Sequence, residues 1–216
     1  LYAQARLFYY LRKKNRVTKS VNPEGFLKWY ATHIDNNVPK LATRITPEIM
    51  KTGERDLALL KKHGLKKSSS LFEHGVGYLR ASCFFVSYLN KGKYAGNDIS
   101  AERINLGKSN HPEIMKKDPK FYVSRDNNFS FPEERRFDFL YSSAVLCHMP
   151  PENILSTFEN MRKNFFAQLI SFPSIYMIYA GFENGFFSGC MLQVVPQMNA
   201  CGIRKKMESI IQSHAP

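Results

Sequence analysis

The sequence predicts an α/β fold in which a mainly parallel sheet is sandwiched between helices, and three observations predict it. From Gly64 onward, short apolar strand patterns alternate with helical ones, the order that builds a parallel sheet through crossover connections. The stretch Leu71-Phe72-Glu73-His74-Gly75-Val76-Gly77 reads as a strand running into a glycine bend. Asp98, 21 residues after Gly77, closes a second strand pattern, Tyr94-Ala95-Gly96-Asn97-Asp98. Strand, glycine bend, helix and acid-tipped strand together form a nucleotide-sized crevice at the carboxyl ends of two parallel strands. There the glycines admit a ligand close to the backbone, and the carboxylate can accept hydrogen bonds from ribose hydroxyls.

The elements follow in order. Tyr2 to Leu11 has the apolar periodicity of a short helix, and Gly25 to Ile34 reads as a second, amphipathic one that Asn36-Asn37-Val38-Pro39 breaks. Thr46-Pro47-Glu48 opens a third, with threonine as cap and proline in the first turn, interrupted near Gly53. Gly64 ends it after Lys61-Lys62-His63. Strands are expected at Ser69–Glu73, Lys93–Asp98, Phe121–Arg125, Phe137–Ser143 and Ala167–Phe172. Helices are expected between them at Leu79–Asn90, Ala101–Asn110 and Pro151–Phe165, with Ser100 capping the second. Phe186 to Val195 suggests a hairpin and Ile203 to Ile211 a short helix. The organisation expected is a basic helical segment, residues 1–65, packing on a Rossmann-like core of residues 66–216.

Composition bounds the functional classes. With 216 residues, 44% hydrophobic and 23% charged, the chain suits one globular domain with a substantial core. No apolar run approaches the roughly 20 residues that span a bilayer. Leu1 to Tyr10 is interrupted by Arg6 and leads to no small-residue cleavage site, so a secretory signal is not expected. Cys83, Cys147, Cys190 and Cys201 form no C-x-x-C pair, so no metal is expected, and free thiols in a reducing, cytoplasmic compartment are. The net charge of +13 is concentrated early: residues 1–70 hold 15 Lys or Arg against 5 Asp or Glu. That imbalance fits an acidic substrate, nucleic acid or an anionic membrane, and equally a solvated lysine-rich surface.

The motifs carry a family resemblance. Leu71 to Gly77 resembles the E-x-G-x-G first motif of class I S-adenosylmethionine-dependent methyltransferases, and Tyr94 to Ser100 looks like their second motif. Phe137-Asp138-Phe139-Leu140-Tyr141-Ser142-Ser143, continuing to His148-Met149-Pro150, resembles their fourth strand and the segment after it. The resemblance implies a three-layer α/β/α Rossmann-like sandwich with S-adenosylmethionine as cofactor. Gly75 and Gly77 would let main-chain N–H groups near the start of the next helix approach the amino-acid portion of the ligand, and Glu73 would fix the loop or hold the ammonium. Asp98 would accept from the ribose hydroxyls, Ile99 would pack on the adenine, and Asp126 would meet the adenine amino group. His148 would take the proton of the acceptor, which the resemblance makes a small-molecule or saccharide-like hydroxyl compound.

Each of these residues also has a plainer reading. Glu73 can cap a turn, Asp98 can cap beside Ser100, Asp126 can sit in a simple polar turn, and His148 can steady the Pro150-Pro151 turn. The sequence also departs from the family pattern. His74 stands where an aliphatic residue ends the first strand, Val76 replaces a small residue, and Asn97 replaces an apolar one. Unpaired, each buried polar group would cost about 1–3 kcal/mol. These departures open an alternative, a catalytically inactive methyltransferase-like binding domain. An RNA-directed methyltransferase using the basic first third is a second alternative. A nicotinamide enzyme is disfavoured because Arg80 occupies the position of the third fingerprint glycine.

Overall fold

The computed structural model describes residues 23–43, 45–126, 128–129, 137–145, 149, 153, 156–157 and 160–161, with the backbone of 174–183 and 186–194. Three helices precede the sheet: α1 (Pro23–Asp35), α2 (Val38–Ala42) and α3 (Pro47–Lys62). The expected break at Asn36-Asn37 is a two-residue turn after which helix resumes, because Pro39 sits in the first turn of α2, where its missing N–H is harmless. Thr46 caps α3 as expected, its hydroxyl accepting from the Ile49 N–H at 3.4 Å. Gly64 leaves the helix end at φ 95°.

Contrary to expectation, α3 runs unbroken through Gly53. A Cβ there would collide with the backbone carbonyl of Arg80 and come within 2.9 Å of the Phe84 ring. The glycine is therefore a contact point between α3 and the segment after the first strand, not a helix breaker.

The sheet has six strands in the order β3-β2-β1-β4-β5-β6. They are β1 (Leu71–His74), β2 (Tyr94–Asp98), β3 (Lys120–Val123), β4 (Phe139–Ser143), β5 (Ser174–Glu183) and β6 (Phe186–Val194). The first five pair in parallel and β6 runs antiparallel to β5. This is the mainly parallel α/β sheet that the alternating pattern predicts. Phe186 to Val194 is a single strand forming a hairpin with β5, not a hairpin in itself. The expected strand Ala167–Phe172 and the helices Tyr2–Leu11 and Ile203–Ile211 lie outside the described residues.

Leu71, Phe72, Glu73 and His74 are all buried, so helices or loops cover both faces of the sheet. Leu71 joins a cluster with Phe85, Leu89, Tyr94 and Tyr141, in which Phe85 meets Tyr141 edge-on at 4.9 Å. On the other face, Phe72 packs against Phe137 and His74 against Phe129. Between β1 and β2 the helix α4 spans Ser82–Tyr88, shorter than the expected Leu79–Asn90. It starts late because Leu79 takes a left-handed φ of 64° and Ala81 offers no capping oxygen. Buried Leu79 fits because Gly107, on α5 (Ala101–Asn110), has no Cβ to meet it. Helix α5 is capped by Ser100, whose hydroxyl accepts from the Arg103 N–H at 3.1 Å. A 3₁₀ turn, Pro112–Lys117, leads into β3. No described helix is long and apolar enough to cross a membrane.

Gly53→Ala tests the α3 contact. Alanine is worth about 1 kcal/mol over glycine in an exposed helix. Here overpacking against the Arg80 carbonyl should outweigh that, leaving a net loss of about 1–3 kcal/mol in urea unfolding. A stabilised variant would contradict the close approach.

Candidate functional site

The strand order reverses between β1 and β4, and ligands of open α/β sheets bind at that switch point. A cavity of about 600 Å³ opens there at the carboxyl ends of the strands. Glu73, Gly75, Gly77, Asp98, Ile99 and Asp126 all line it, so the structure brings six of the seven sequence-predicted site residues together. His148 lies outside the described residues.

Asp98 is the organising side chain. One carboxylate oxygen accepts from the Gly77 N–H at 2.8 Å and the other from the Ser100 N–H at 2.9 Å. The aspartate therefore points at the glycine bend and also caps beside Ser100, and it lines the cavity. A carboxylate has about four lone-pair sites, so capacity for two hydroxyl donors remains. Burial raises its pKa, while the Ser100 and Gly77 amides and the nearby Arg103 charge oppose that.

The amides of the bend itself are engaged within the protein. Gly75 and Val76 both donate their N–H to the Asn97 carbonyl, at 2.8 and 3.0 Å, and the Gly77 amide goes to Asp98. These three amides are thus turned toward β2 rather than the cavity. What the glycines supply is conformation and space. Both have positive φ, a Cβ on Gly75 would run into Val145, and a Cβ on Gly77 would stand in open space.

Glu73 is buried beneath the bend, its Oε2 accepting from the Tyr94 hydroxyl at 2.5 Å and the Ser82 hydroxyl at 2.8 Å. Burial pushes its pKa up to about 7 against the opposing pull of those hydroxyls. Asp126, exposed at the rim, forms a local turn: its carboxylate accepts from the Asn128 N–H at 3.0 Å. Ile99 is half-buried at the cavity wall.

Two departures from the family pattern explain each other. His74 and Asn97 are register partners on β1 and β2, and the ring Nδ1–H donates to Asn97 Oδ1 at 3.0 Å. Burial depresses the His74 pKa to about 4, so the ring is neutral. Its Nε2 is buried with no hydrogen-bond partner among the described residues.

Three further contributors shape the site; the helical amino-terminal segment was expected to lie over the cleft, whereas the parts played by Arg80 and Asp35 escaped the sequence reading. Arg80 lines the cavity, pairs with Asp56 at 2.7 Å and donates to Thr52 at 2.7 Å, joining α3 to the site. Its signal was a charge at a position meant for close helix packing. Helix α1 lays Phe26, Leu27, Tyr30 and Ile34 along the cavity. Asp35 ties that helix down by accepting from the Ser100 hydroxyl at 2.5 Å. The aromatic spacing of α1 was visible in sequence, but nothing local indicated the distant serine.

No family model and no curated protein matches the sequence. Comparison with solved structures identifies the class: a Rossmann-like α/β fold of the kind found in S-adenosylmethionine-dependent methyltransferases. Phosphoethanolamine N-methyltransferase 1 of Haemonchus contortus, solved with phosphoethanolamine and S-adenosylhomocysteine, superposes with a TM-score of 0.60 at 10% identity. That match covers 85% of this chain but only 38% of the other. DhpI in a complex with SAM and HEP gives 0.56 at 12% identity, covering 88% of this chain and 91% of that one. Magnesium protoporphyrin IX methyltransferase of Synechocystis, with bound SAM, gives 0.50 at 16% identity, covering 72% and 65%. At these identities the likeness establishes the fold.

Glu73 and His74, adjacent in one strand, impose opposite pH dependences. Folded Glu73 keeps its proton above its ordinary value of 4.5, so its contribution is complete below that pH and is lost as pH rises through about 7. Folded His74 refuses the proton that an unfolded histidine takes up below 6.5, so its contribution is lost as pH falls from there toward about 4. Between these limits the two slopes offset. His74→Leu should therefore make urea stability fall with rising pH between about 4.5 and 6.5, and Glu73→Gln should make it rise, each by at most about 1.4 kcal/mol per pH unit. Identical profiles in the two variants would refute the assignment.

Proposed function

We propose that the cavity binds S-adenosylmethionine and that the chain transfers a methyl group to a small-molecule acceptor, a saccharide-like hydroxyl compound being the class expected. The observation carrying this reading is the buried Asp98 carboxylate turned onto the Gly77 bend beside an open cavity of about 600 Å³. That volume lies within the range of ligand pockets for nucleoside-sized molecules. Support also comes from the fold shared with methyltransferases solved with SAM or S-adenosylhomocysteine.

In this reading the remaining lone pairs of Asp98 accept from the two ribose hydroxyls, and Ile99 packs on the adenine face. Asp126 meets the adenine amino group from the rim. The space beside Gly77 takes the amino-acid portion, and Glu73 faces its ammonium directly or through water. A cation at that position would favour the Glu73 carboxylate over the neutral acid. Bound S-adenosylmethionine supplies a methyl carbon already activated on positively charged sulfur, so the protein needs no nucleophile of its own. Its task is alignment, with Phe26 and Tyr30 of α1 excluding water and His148 receiving the acceptor proton.

A second reading, a binding domain that has lost catalysis, is favoured by one observation. The amides of Gly75, Val76 and Gly77 are already engaged within the protein.

A thermal-shift titration tests the first reading. S-adenosylhomocysteine at 100 times its Kd should stabilise the protein by about 2.7 kcal/mol. Asp98→Asn, which keeps the size of the side chain but not both acceptor oxygens, should weaken that affinity about 10-fold or more. Asp98→Ala is the poorer probe, since it strands both the Gly77 and Ser100 amides where asparagine strands one, and it destabilises the ligand-free protein by about 1–3 kcal/mol for each. Absence of any shift with the wild-type chain would reject the cofactor; unchanged affinity in Asp98→Asn would reject the ribose role.

A further inference from the structure

The lysines that look scattered in sequence are gathered by the topology at the amino ends of β1, β2 and β3, the end of the sheet opposite the cavity. The end of α3 and the turn into β1 carry Lys61, Lys62, Lys66 and Lys67, all exposed. The turn into β2 carries Lys91 and Lys93, also exposed. The turn into β3 adds Lys116, Lys117 and Lys120. Backbone hydrogen bonds stitch these turns together: the Asn90 N–H donates to the Lys67 carbonyl at 2.8 Å, and the Gly92 N–H to the Lys117 carbonyl at 2.8 Å. Leu71 is level with Tyr94 and Ala95 with Lys120, so the three strand starts differ by about one residue, roughly 3 Å of rise. The result is a level basic face.

Little acidity opposes it. Asp118 is paired with Lys120 at 3.0 Å, and the Asp138 carboxylate accepts from the Ser70 N–H and hydroxyl at 2.7 and 3.0 Å. Glu113 lies against His111 at 3.3 Å. Helix ends account for part of the lysine set. Lys61 and Lys62 complement the carboxyl terminus of α3, and the Lys117 ammonium donates to the Leu89 carbonyl at 2.9 Å. Lys66, Lys67, Lys91 and Lys93 lie outside any helix, and none forms an ion pair with a described residue.

We propose that this face docks the protein onto an anionic phospholipid surface, leaving the cavity at the far end open to its ligand. A level array of lysine ammonium groups matches a planar sheet of headgroup phosphates, and each lysine near such a surface adds to the attraction. Met115, 40% exposed beside Lys116, offers a flexible apolar chain to the headgroup layer. Nucleic-acid surfaces read bases with arginine forks or stack them on open aromatic rings. Among the described residues, this face carries no arginine, and the Tyr88 ring is covered by the Lys61 ammonium at 5.2 Å.

Vesicle co-sedimentation of the whole chain tests the proposal. It should partition onto vesicles of phosphatidylglycerol in phosphatidylcholine, not onto phosphatidylcholine alone, and high salt should release it. Replacing Lys66, Lys67, Lys91 and Lys93 together by Glu should lower the partition coefficient about 100-fold or more, with an unchanged melting temperature as the control for folding. If that variant folds poorly, the four-fold Gln replacement is measured in its place and should show a smaller loss in the same direction. No partition, or equal partition of variant and wild type, would overturn the proposal. Tighter binding to duplex DNA or RNA than to vesicles, lost in the same variant, would overturn the lipid assignment in favour of nucleic acid.

Discussion

The site depends on one carboxylate. Asp98 holds the Gly77 amide with one oxygen and the Ser100 amide with the other, so the bend after β1, the tip of β2 and the start of α5 meet at a single side chain. Ser100 in turn caps α5 and donates to Asp35, which extends the same junction to α1. Helix α1, the bend after β1 and the contiguous tip of β2 and start of α5 are thereby fixed around the cavity mouth. A charged acceptor is suited to this, because hydrogen bonds to an ionised group are stronger than neutral ones and a buried carboxylate left unpaired is costly.

Much of this was legible in the sequence because its signals are local. Thr46-Pro47 and Ser100 announce helix starts through their own hydroxyls and ring, Gly64 marks a stop through its backbone freedom, and the β1 and β2 patterns end in residues whose chemistry differs from what precedes them. The crevice followed from strand order, and six predicted residues line it. What escaped depended on distant partners. Gly53 looked like a helix breaker because the Arg80 carbonyl that needs its bareness is 27 positions away. His74 and Asn97 looked like two separate penalties because only the parallel register reveals that each answers the other. The inward turn of the bend's own amides was also hidden, because the sequence does not say that Asn97 and Asp98 accept them.

Charge followed the same rule. Counting residues placed the excess in the first third of the chain, whereas the parallel topology assembles a basic end from three separate turns, two of them beyond that third. The arrangement separates roles along the strand axis. Acidic and glycine-rich chemistry sits where the strands end, and lysines sit where they begin.

Leu79 and Gly107 have a further consequence. A bulky side chain sits in a backbone region made for glycine, at a cost of about 1–2 kcal/mol, and a glycine sits within a helix that alanine would favour. The glycine answers two neighbours at once: a Cβ there would run into the Leu79 side chain and into the backbone carbonyl of Tyr78, at 2.7 and 2.8 Å from its carbon and oxygen. A smaller residue at position 79 would therefore leave a void without making room for a methyl group at position 107, because the Tyr78 carbonyl would still bar it.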